Sequence, residues 1–314
     1  YTDHVLYDKA NVGGYFETSV NTQESVEYAR AAIALFFNCD ETEVVFGTNA
    51  TTSIFQFSRA ISRDWTSEDE VVVTKLDHFA NVSPWVEVAS DKHCKVTSIE
   101  FDTNTGEYNL DDFEKAITNK TKIVAVNYAC NALGTINPIK EITKIAHAKG
   151  AMVFVDAVHY APHGLIDVRD LDCDFLVTSV YKYFGPHVSA VFAKKKHLQN
   201  FSPYKVEPAI DKIPNCWETG TPDFSAISAI PSTIKYIISL SGNSSPTRKN
   251  LELAYQTIVE YENELSRYFL QKVSALTHVK LYGLSDVNDV AKRTPTFGLT
   301  VNGKTSHQVA EYLA

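Results

Sequence analysis

Residues 151–187 read AMVFVDAVHYAPHGLIDVRDLDCDFLVTSVYKYFGPH and contain two apolar runs that each end in polar side chains. The first run ends at Asp156, and the second is followed by Ser179, Tyr181 and Lys182. Short continuous apolar runs are typical of strands in a sheet that is covered on both faces. Because a single crossover separates the two runs, we expect Asp156 and Lys182 to lie at the ends of adjacent strands.

The same alternation of apolar runs and helical patterns continues on the N-terminal side of this stretch. Further strands are predicted at 43–47, 70–75, 95–102 and 121–130, and helices at 22–37, 52–62, 110–117 and 138–151. This alternation predicts an α/β fold of three layers, with a mainly parallel sheet between two layers of helices. In such sheets ligands bind at the carboxyl ends of the strands.

The pattern changes after about residue 190. A long amphipathic helix is predicted at 248–273, followed by strands at 279–284 and 294–302 and by a helix that begins at residue 306. The segment SGNSSP at 241–246 is the best candidate for a linker. We therefore expect a large domain at 1–240 that lacks part of its N-terminal segment, and a smaller α+β domain at 241–314 that is incomplete.

Composition excludes several classes of function. The chain has 314 residues, 44% hydrophobic, and a net charge of −9, which argues against nucleic acid or an anionic membrane as a partner. No apolar run approaches the roughly 20 residues that a membrane span requires. The five cysteines are scattered without zinc-binding spacing, which predicts reduced thiols in a cytoplasmic protein and no metal site.

Lys182 is the first candidate for chemistry. It follows a buried strand and lies between Tyr181 and Tyr183-Phe184, so we expect these rings to shield it from water. Desolvation lowers the pKa of an ammonium group and makes the amine a nucleophile that can form a Schiff base. A carboxylate at the neighbouring strand end, here Asp156, can keep a pyridinium nitrogen protonated. The pair predicts a site for pyridoxal phosphate (PLP); a surface lysine and a turn-forming aspartate are the alternatives.

Three further strand ends carry polar candidates. Small residues from Gly47 to Thr52, including Thr51, precede a predicted helix, whose free amides and positive dipole end suit a phosphate; a simple helix cap is the alternative. His78, just past a strand, can stack on a flat ring or be structural, and Asn131 ends another strand. The sequence lacks GxGxxG, HExxH and GxSxG, so it offers no support for dinucleotide binding, zinc-protease or serine-hydrolase chemistry.

From about residue 11 to its end, the chain resembles the class V aminotransferase group of fold-type I PLP enzymes, and within it the cysteine desulfurase-like proteins. The resemblance is carried by six motifs: TNATT (48–52), HFANVSPW (78–85), NALGT (131–135), VDAVH (155–159), SVYKYFGPH (179–187) and ETGTPD (218–223). It implies PLP as cofactor, a small amino-acid substrate, a sheet of the seven-stranded type and a homodimer with shared active sites.

The resemblance also implies roles for single residues around the cofactor ring. By position, Lys182 would form the internal aldimine, Asp156 would bind the ring nitrogen and His78 would stack on the ring face. His159 stands where the family has a Gln or His that reaches the ring hydroxyl. Asn131 would face the substrate carboxylate or the ring.

A second set of positions corresponds to the phosphate end of the cofactor. Ala50, Thr51 and Ser179 would hold the phosphate, and Tyr181, at a position that is often His in desulfurases, would do the same. Thr221 would reach the phosphate of the neighbouring subunit, which is why the resemblance implies shared sites.

The resemblance favours C–S lysis of a cysteine-like substrate. Transamination, epimerisation and kynureninase-type C–C cleavage use the same residues and stay open, as does a non-catalytic binding protein that kept the PLP fold. Desulfurases typically read His-Lys where this chain reads Tyr181-Lys182. We expect their nucleophilic cysteine and carboxylate-binding arginine to lie beyond residue 314.

Overall fold

A computed structural model describes all 314 residues and contains nine β-strands. Seven of them form one sheet: β1 (Val44–Gly47), β2 (Glu70–Thr74), β3 (Lys95–Ile99), β4 (Thr121–Asn127), β5 (Met152–Asp156), β6 (Phe175–Ser179) and β7 (Ser189–Ala193). The other two form a separate antiparallel pair: β8 (Val279–Tyr282) and β9 (Gly298–Val301).

Eleven α-helices surround the strands. Those of the first half are α1 (Glu17–Phe37), α2 (Ala50–Ile61), α3 (Ser83–Lys92), α4 (Leu110–Ala116), α5 (Ile139–Ala148) and α6 (Val168–Leu171). Those of the second half are α7 (Lys195–Asn200), α8 (Phe224–Ser228), α9 (Ile230–Ser239), α10 (Arg248–Val273) and α11 (Ser306–Leu313). No helix combines the length and the hydrophobicity that a membrane crossing requires.

The sheet has the strand order β1-β7-β6-β5-β4-β2-β3. Strand β7 pairs antiparallel with both of its neighbours, and every other pairing is parallel, so β7 alone runs against the rest. The prediction of a mainly parallel α/β sheet is therefore confirmed. β7 was not predicted as an individual strand, although it is a short apolar run of the same kind as β6.

Side chains on the two faces of the sheet enter two separate cores. In β5, Val153 and Val155 belong to the core formed with α1, α5, α9 and α10, while Phe154 belongs to the core formed with α2 and α3. This alternation is the period of two that a strand imposes on its side chains. Helices cover both faces, so the carboxyl ends of the parallel strands are the part of the sheet left open for a ligand.

Helix α1 begins five residues earlier than its predicted start at residue 22. At the predicted start, Asn21 donates to Asp8 Oδ1 at 2.8 Å, and Thr22 donates to the Asp8 carbonyl at 2.7 Å. Both side chains fasten the preceding segment to the helix surface. The true first turn, after Phe16, has no side-chain cap and left no signal in the sequence.

The C-terminal elements extend the molecule beyond the sheet. The first half of α10 packs into the main core through Leu251, Ala254 and Tyr255, whereas β8, β9 and α11 lie outside it. The four predicted elements from residue 248 onward are all present. The division of the chain at 240/241 stays a prediction.

Candidate active site

A cavity of about 400 Å³ opens at the carboxyl ends of the parallel strands. Except for Thr221, every residue that the sequence placed in a site lines it: Ala50, Thr51, His78, Asn131, Asp156, His159, Ser179, Tyr181 and Lys182. Four strand–loop units supply these side chains because neighbouring parallel strands end at the same edge. The volume lies in the range of small-molecule and cofactor sites.

Asp156 forms the buried floor of the cavity at the end of β5. The residue is only 5% exposed, and its Oδ1 accepts one hydrogen bond, from the Val158 amide at 2.8 Å. Its other oxygen has no donor within the chain. Burial raises the pKa of the Asp156 carboxyl, while the Val158 hydrogen bond and nearby His78 act in the opposite direction. The site therefore presents a carboxylate that still requires a cationic hydrogen-bond donor.

Lys182 lies in the 3₁₀ turn Val180–Tyr183, directly after β6, which is the neighbour of β5. The expected shielding by aromatic rings is wrong. Tyr183 points into the core and bonds Thr178 Oγ1 at 3.0 Å, and Phe184 is 62% exposed. Only Tyr181 contacts the lysine, with Nζ 5.3 Å from its ring centroid, so the ammonium group is exposed in the open cavity and makes no ion pair.

The N-terminus of α2 forms the opposite end of the cavity. Asn49 caps this helix by accepting from the Thr52 amide at 2.9 Å, and the residues that follow, Ala50 and Thr51, face the cavity beside Ser179. The first amides of a helix have no intrahelical acceptor, so they can donate to an anion. Two hydroxyls and a helix N-terminus suit a phosphate group.

His78 stands at the cavity wall, ahead of the 3₁₀ turn Phe79–Asn81. Its Nδ1 accepts a hydrogen bond from the Ala80 amide at 3.1 Å. The neutral ring therefore carries its proton on Nε2. The Asp77 carboxyl group holds this turn by accepting from the His78 amide at 2.7 Å and from Asn81 Nδ2 at 2.9 Å.

His159 forms the wall nearest the C-terminal part of the chain. Its Nε2 lies 3.1 Å from Thr294 Oγ1 and 3.0 Å from Thr296 Oγ1. Burial lowers the pKa of His159 to about 4, and the positive potential of His163 and Lys182 acts in the same direction. The imidazole is therefore neutral at physiological pH and can hydrogen-bond a ligand without adding charge.

Several lining residues were not predicted from the sequence, chiefly Asp77, Asn127 and His187. Asn127 ends β4 as Asp156 ends β5, and the two are register partners, so the same strand-end signal was present. Asp77 directly precedes His78, and a buried carboxylic acid there could have been suspected. His187 was not expected because its contact, a ring stack on Tyr181 at 4.5 Å, depends on the fold of the turn.

Thr221 lies apart from this cavity, in the exposed loop that contains ETGTPD. Glu218 fixes the base of the loop by accepting from Arg30 at 2.8 Å and from the Phe46 amide at 2.8 Å. The loop is thus held firmly, while Thr221 itself faces a different depression that also includes His4.

Comparison with known proteins agrees with this geometry. The family model described as Aminotransferase class-V matches residues 3–314. The chain belongs to the class-V aminotransferase family. Members of this family are PLP enzymes, and the donor set of the cavity fits that group: an unpaired buried carboxylate at one end, hydroxyls and helix amides at the other, and an accessible amine.

Individual relatives add to the family assignment. A probable cysteine desulfurase from Halalkalibacterium halodurans is 32% identical over 274 residues, which cover 83% of this chain and 64% of that protein. An aminotransferase-like protein from Gibberella zeae is 29% identical, with 99% of this chain and 75% of that protein covered. The apo structure of a cysteine desulfurase from Thermococcus onnurineus is 25% identical, with a TM-score of 0.88 over 99% of this chain and 77% of that one.

Proposed function

We propose that this protein binds PLP through Lys182 and catalyses C–S lysis of a cysteine-like amino acid. The observation that carries the proposal is the unpaired oxygen of buried Asp156 in the same cavity as an exposed Lys182 amine. Two relatives named as probable cysteine desulfurases, 32% and 30% identical, support the choice of reaction. The chain spans only 64% of the first of them, so the activity of the whole protein is part of the proposal.

PLP supplies an electron-withdrawing ring that stabilises negative charge at the substrate carbon next to the amino group. The chain's own residues would bind and orient it. Asp156 keeps the ring nitrogen protonated, His78 covers one ring face, and Ser179 and Thr51 with the first amides of α2 bind the phosphate. The Lys182 amine holds the cofactor covalently and moves the proton at the substrate Cα. None of the five cysteines lines the cavity.

Cofactor binding is tested by incubating the protein with PLP, removing free PLP by dialysis and recording the visible absorption band. Borohydride reduction followed by peptide mapping should place the label on Lys182. Lys182→Ala should lose both signals, whereas Lys196→Ala, a surface lysine on α7, should retain them. A protein that remains colourless after incubation with PLP would contradict the proposal.

The reaction is tested by supplying cysteine together with a thiol reductant, which releases any zero-valent sulfur as sulfide, and measuring sulfide, alanine and pyruvate. Sulfide with alanine indicates a desulfurase, and sulfide with pyruvate indicates a lyase. Formation of a keto acid that retains the sulfur indicates transamination. Loss of optical activity indicates epimerisation, and cleavage of kynurenine indicates a kynureninase-like hydrolase. A protein that binds PLP and shows none of these reactions would be a non-catalytic member of the fold.

We also propose a homodimer in which Thr221 reaches the phosphate site of the partner subunit. Its exposed position outside its own cavity, on a loop fixed by Glu218 and Arg30, supports this arrangement. Sedimentation should give twice the chain mass. Mixing inactive Lys182→Ala and weakened Thr221→Ala proteins tests sharing. In a mixed dimer, one of the two sites would receive both wild-type residues and recover activity.

Two further assignments belong to the proposal. The division into domains at 240/241 is tested by limited proteolysis, which should cut first within the linker 241–246. A cytoplasmic location is supported by five unpaired cysteines, which are typical of a reducing compartment. Fractionation of expressing cells tests it.

A further inference from the structure

Arg293 is a buried guanidinium without a carboxylate partner. The residue is only 4% exposed and makes no salt bridge, and burial lowers its pKa to about 10. Its donors bond backbone carbonyls instead: those of Leu133 at 3.1 Å, Thr296 at 2.5 Å and Leu284. The guanidinium also lies 4.1 Å from the centroid of the Phe297 ring.

These carbonyls belong to two distant parts of the chain. Leu133 is in the loop after β4 that also contains cavity residue Asn131, and the others are in the C-terminal part. Backbone bonds join the same two segments, from the Thr294 amide to the Gly134 carbonyl at 2.8 Å and from the Ile136 amide to the Lys292 carbonyl at 2.9 Å. Residues 292–294 therefore pair with residues 134–136 through a single antiparallel bridge, in which Arg293 lies opposite Thr135.

The same C-terminal segment contacts a second wall of the cavity. The hydroxyls of Thr294 and Thr296 are the two hydrogen-bond partners of His159 Nε2. Charged and titratable groups around His159 are Lys182 in the cavity and His163, whose Nδ1 is 2.9 Å from Glu262 of α10. One segment thus supports both His159 and the loop of Asn131 from behind.

We propose that Arg293, Thr294 and Thr296 form a clamp of positioning residues, which sets the placement of His159 and of the 131–135 loop for the bound cofactor. Burying a cation without a counterion destabilises a protein. The planar guanidinium fork of Arg293 offsets this cost by bonding several backbone carbonyls at once, which holds their segments together. Lysine keeps the charge but cannot reproduce this fork. The cofactor part of the inference rests on the proposed function.

The backbone part of the clamp is tested without cofactor. In Arg293→Lys, hydrogen–deuterium exchange of the Ile136 and Thr294 amides should become about tenfold faster, because these two amides bond across the two segments and open when the clamp is loosened. Unchanged exchange in a folded Arg293→Lys protein would overturn this part. The measurement does not depend on PLP, so it distinguishes failure of the clamp from failure of the proposed function.

The side-chain part is tested by PLP affinity. Thr294→Val with Thr296→Val keeps the shape of both residues and removes the hydroxyls, and we expect roughly tenfold weaker binding because the His159 ring loses its support. Thr294→Ser with Thr296→Ser restores the hydroxyls and should restore affinity, a rescue that a purely structural role for the methyl groups would not give. Thr300→Val, on the exposed side of β9, is the matched control.

Wild-type affinity in the double valine variant would overturn the role of the hydroxyls, as would a failure of the double serine variant to rescue it. If Arg293→Lys does not fold, the threonine variants decide the side-chain part alone. Failure of the wild type to bind PLP would remove the proposed function and the cofactor part of this inference, while the exchange result on the apo protein would stand.

Discussion

Asp77 and Asp156 place two carboxyl groups against one cavity, but Asp77 has three hydrogen-bond partners and Asp156 has one. Asp77 bonds the His78 amide, Asn81 Nδ2 and Thr74 Oγ1, the last at 3.1 Å. Burial and the charge of Asp156 raise the pKa of Asp77 by more than these three hydrogen bonds lower it, so its net shift is upward. Ionising both carboxyl groups in one cavity is unfavourable, because the two negative charges repel each other. We infer that Asp77 holds a proton and Asp156 is the group that ionises against a bound cation.

Asp156→Asn should stabilise the cofactor-free protein at neutral and alkaline pH. The folded-state pKa of Asp156 is raised above its unfolded value of about 3.9, so ionisation favours the unfolded chain. The wild type therefore loses stability relative to the variant as the pH rises from about 4 through the folded pKa. We expect the variant to be more stable by about 2 kcal/mol at pH 8 and nearly equal at pH 4.

Urea unfolding of both apo proteins at pH 4, 6 and 8 measures this difference. With saturating PLP at pH 8, the wild type should become more stable than Asp156→Asn, because the cofactor gives Asp156 the cationic partner that it lacks. A variant that is less stable than the wild type at every pH, without PLP, would mean that the Asp156 carboxylate is already compensated within the chain.

The two aspartates should respond differently to the same change when cofactor affinity is measured. Asp156→Asn removes a charged hydrogen bond worth about 2 kcal/mol, so PLP should bind roughly thirtyfold more weakly. Asp77→Asn replaces a protonated carboxyl by a group of the same shape, and the Asn81 amide can turn over to accept from it. We expect the dissociation constant to change by less than about threefold. Equal losses in the two variants would show that Asp77 is charged.

Asp174 is a buried aspartate directly before β6, and we expect its substitution by asparagine to destabilise the protein at neutral pH. Burial alone would raise its pKa, but hydrogen bonds from His147 at 2.7 Å, His197 at 2.6 Å and the Val153 amide lower it far below the usual range. Its stabilising contribution is therefore complete above the unfolded pKa of about 4 and shrinks as the pH falls below it. Asp174→Asn should cost about 3 kcal/mol at pH 7.

Equilibrium unfolding at pH 7 and pH 3 checks this expectation, with a smaller difference at pH 3. Asp172→Asn is the matched control, since that carboxylate is on the surface, where its pair with Lys194 contributes about 1 kcal/mol or less. The prediction fails if both substitutions cost the same.

Most of the sheet could be predicted because its signals are local. Each parallel strand is a continuous apolar run, and the polar residues that end these runs, such as Asp156 and His78, meet at one edge by the geometry of parallel strands. The pairing of Asp156 with Lys182 on adjacent strands followed from one crossover between them. Strand β7 was not predicted, because it pairs antiparallel with β6 and no crossover helix separates the two strands in the sequence.

The environment of the site residues could not be predicted, because it depends on which way side chains turn. Tyr183 and Phe184 both follow Lys182 in sequence, yet Tyr183 enters the core and Phe184 faces solvent and Tyr236. The support of His159 comes from residues about 135 positions later in the chain. Contacts of such long range leave no periodicity in the sequence.

Gly134 should be the glycine least tolerant of substitution in the clamp region. Its φ is +81°, and a Cβ there would lie 2.7 Å from the carbonyl oxygens of both Thr294 and Thr296. Gly150, which follows α5, has the same φ of +81° but no atom within 4 Å of a Cβ, so it isolates the conformational cost. We expect Gly150→Ala to cost about 1 kcal/mol and Gly134→Ala about 3 kcal/mol, because overpacking against fixed carbonyls adds to the backbone strain. Urea unfolding measures both losses, and exchange of the Ile136 and Thr294 amides should accelerate only in Gly134→Ala. If Gly134→Ala and Gly150→Ala lose the same stability and show the same amide exchange, residues 292–296 move aside without cost and do not hold the 131–135 loop.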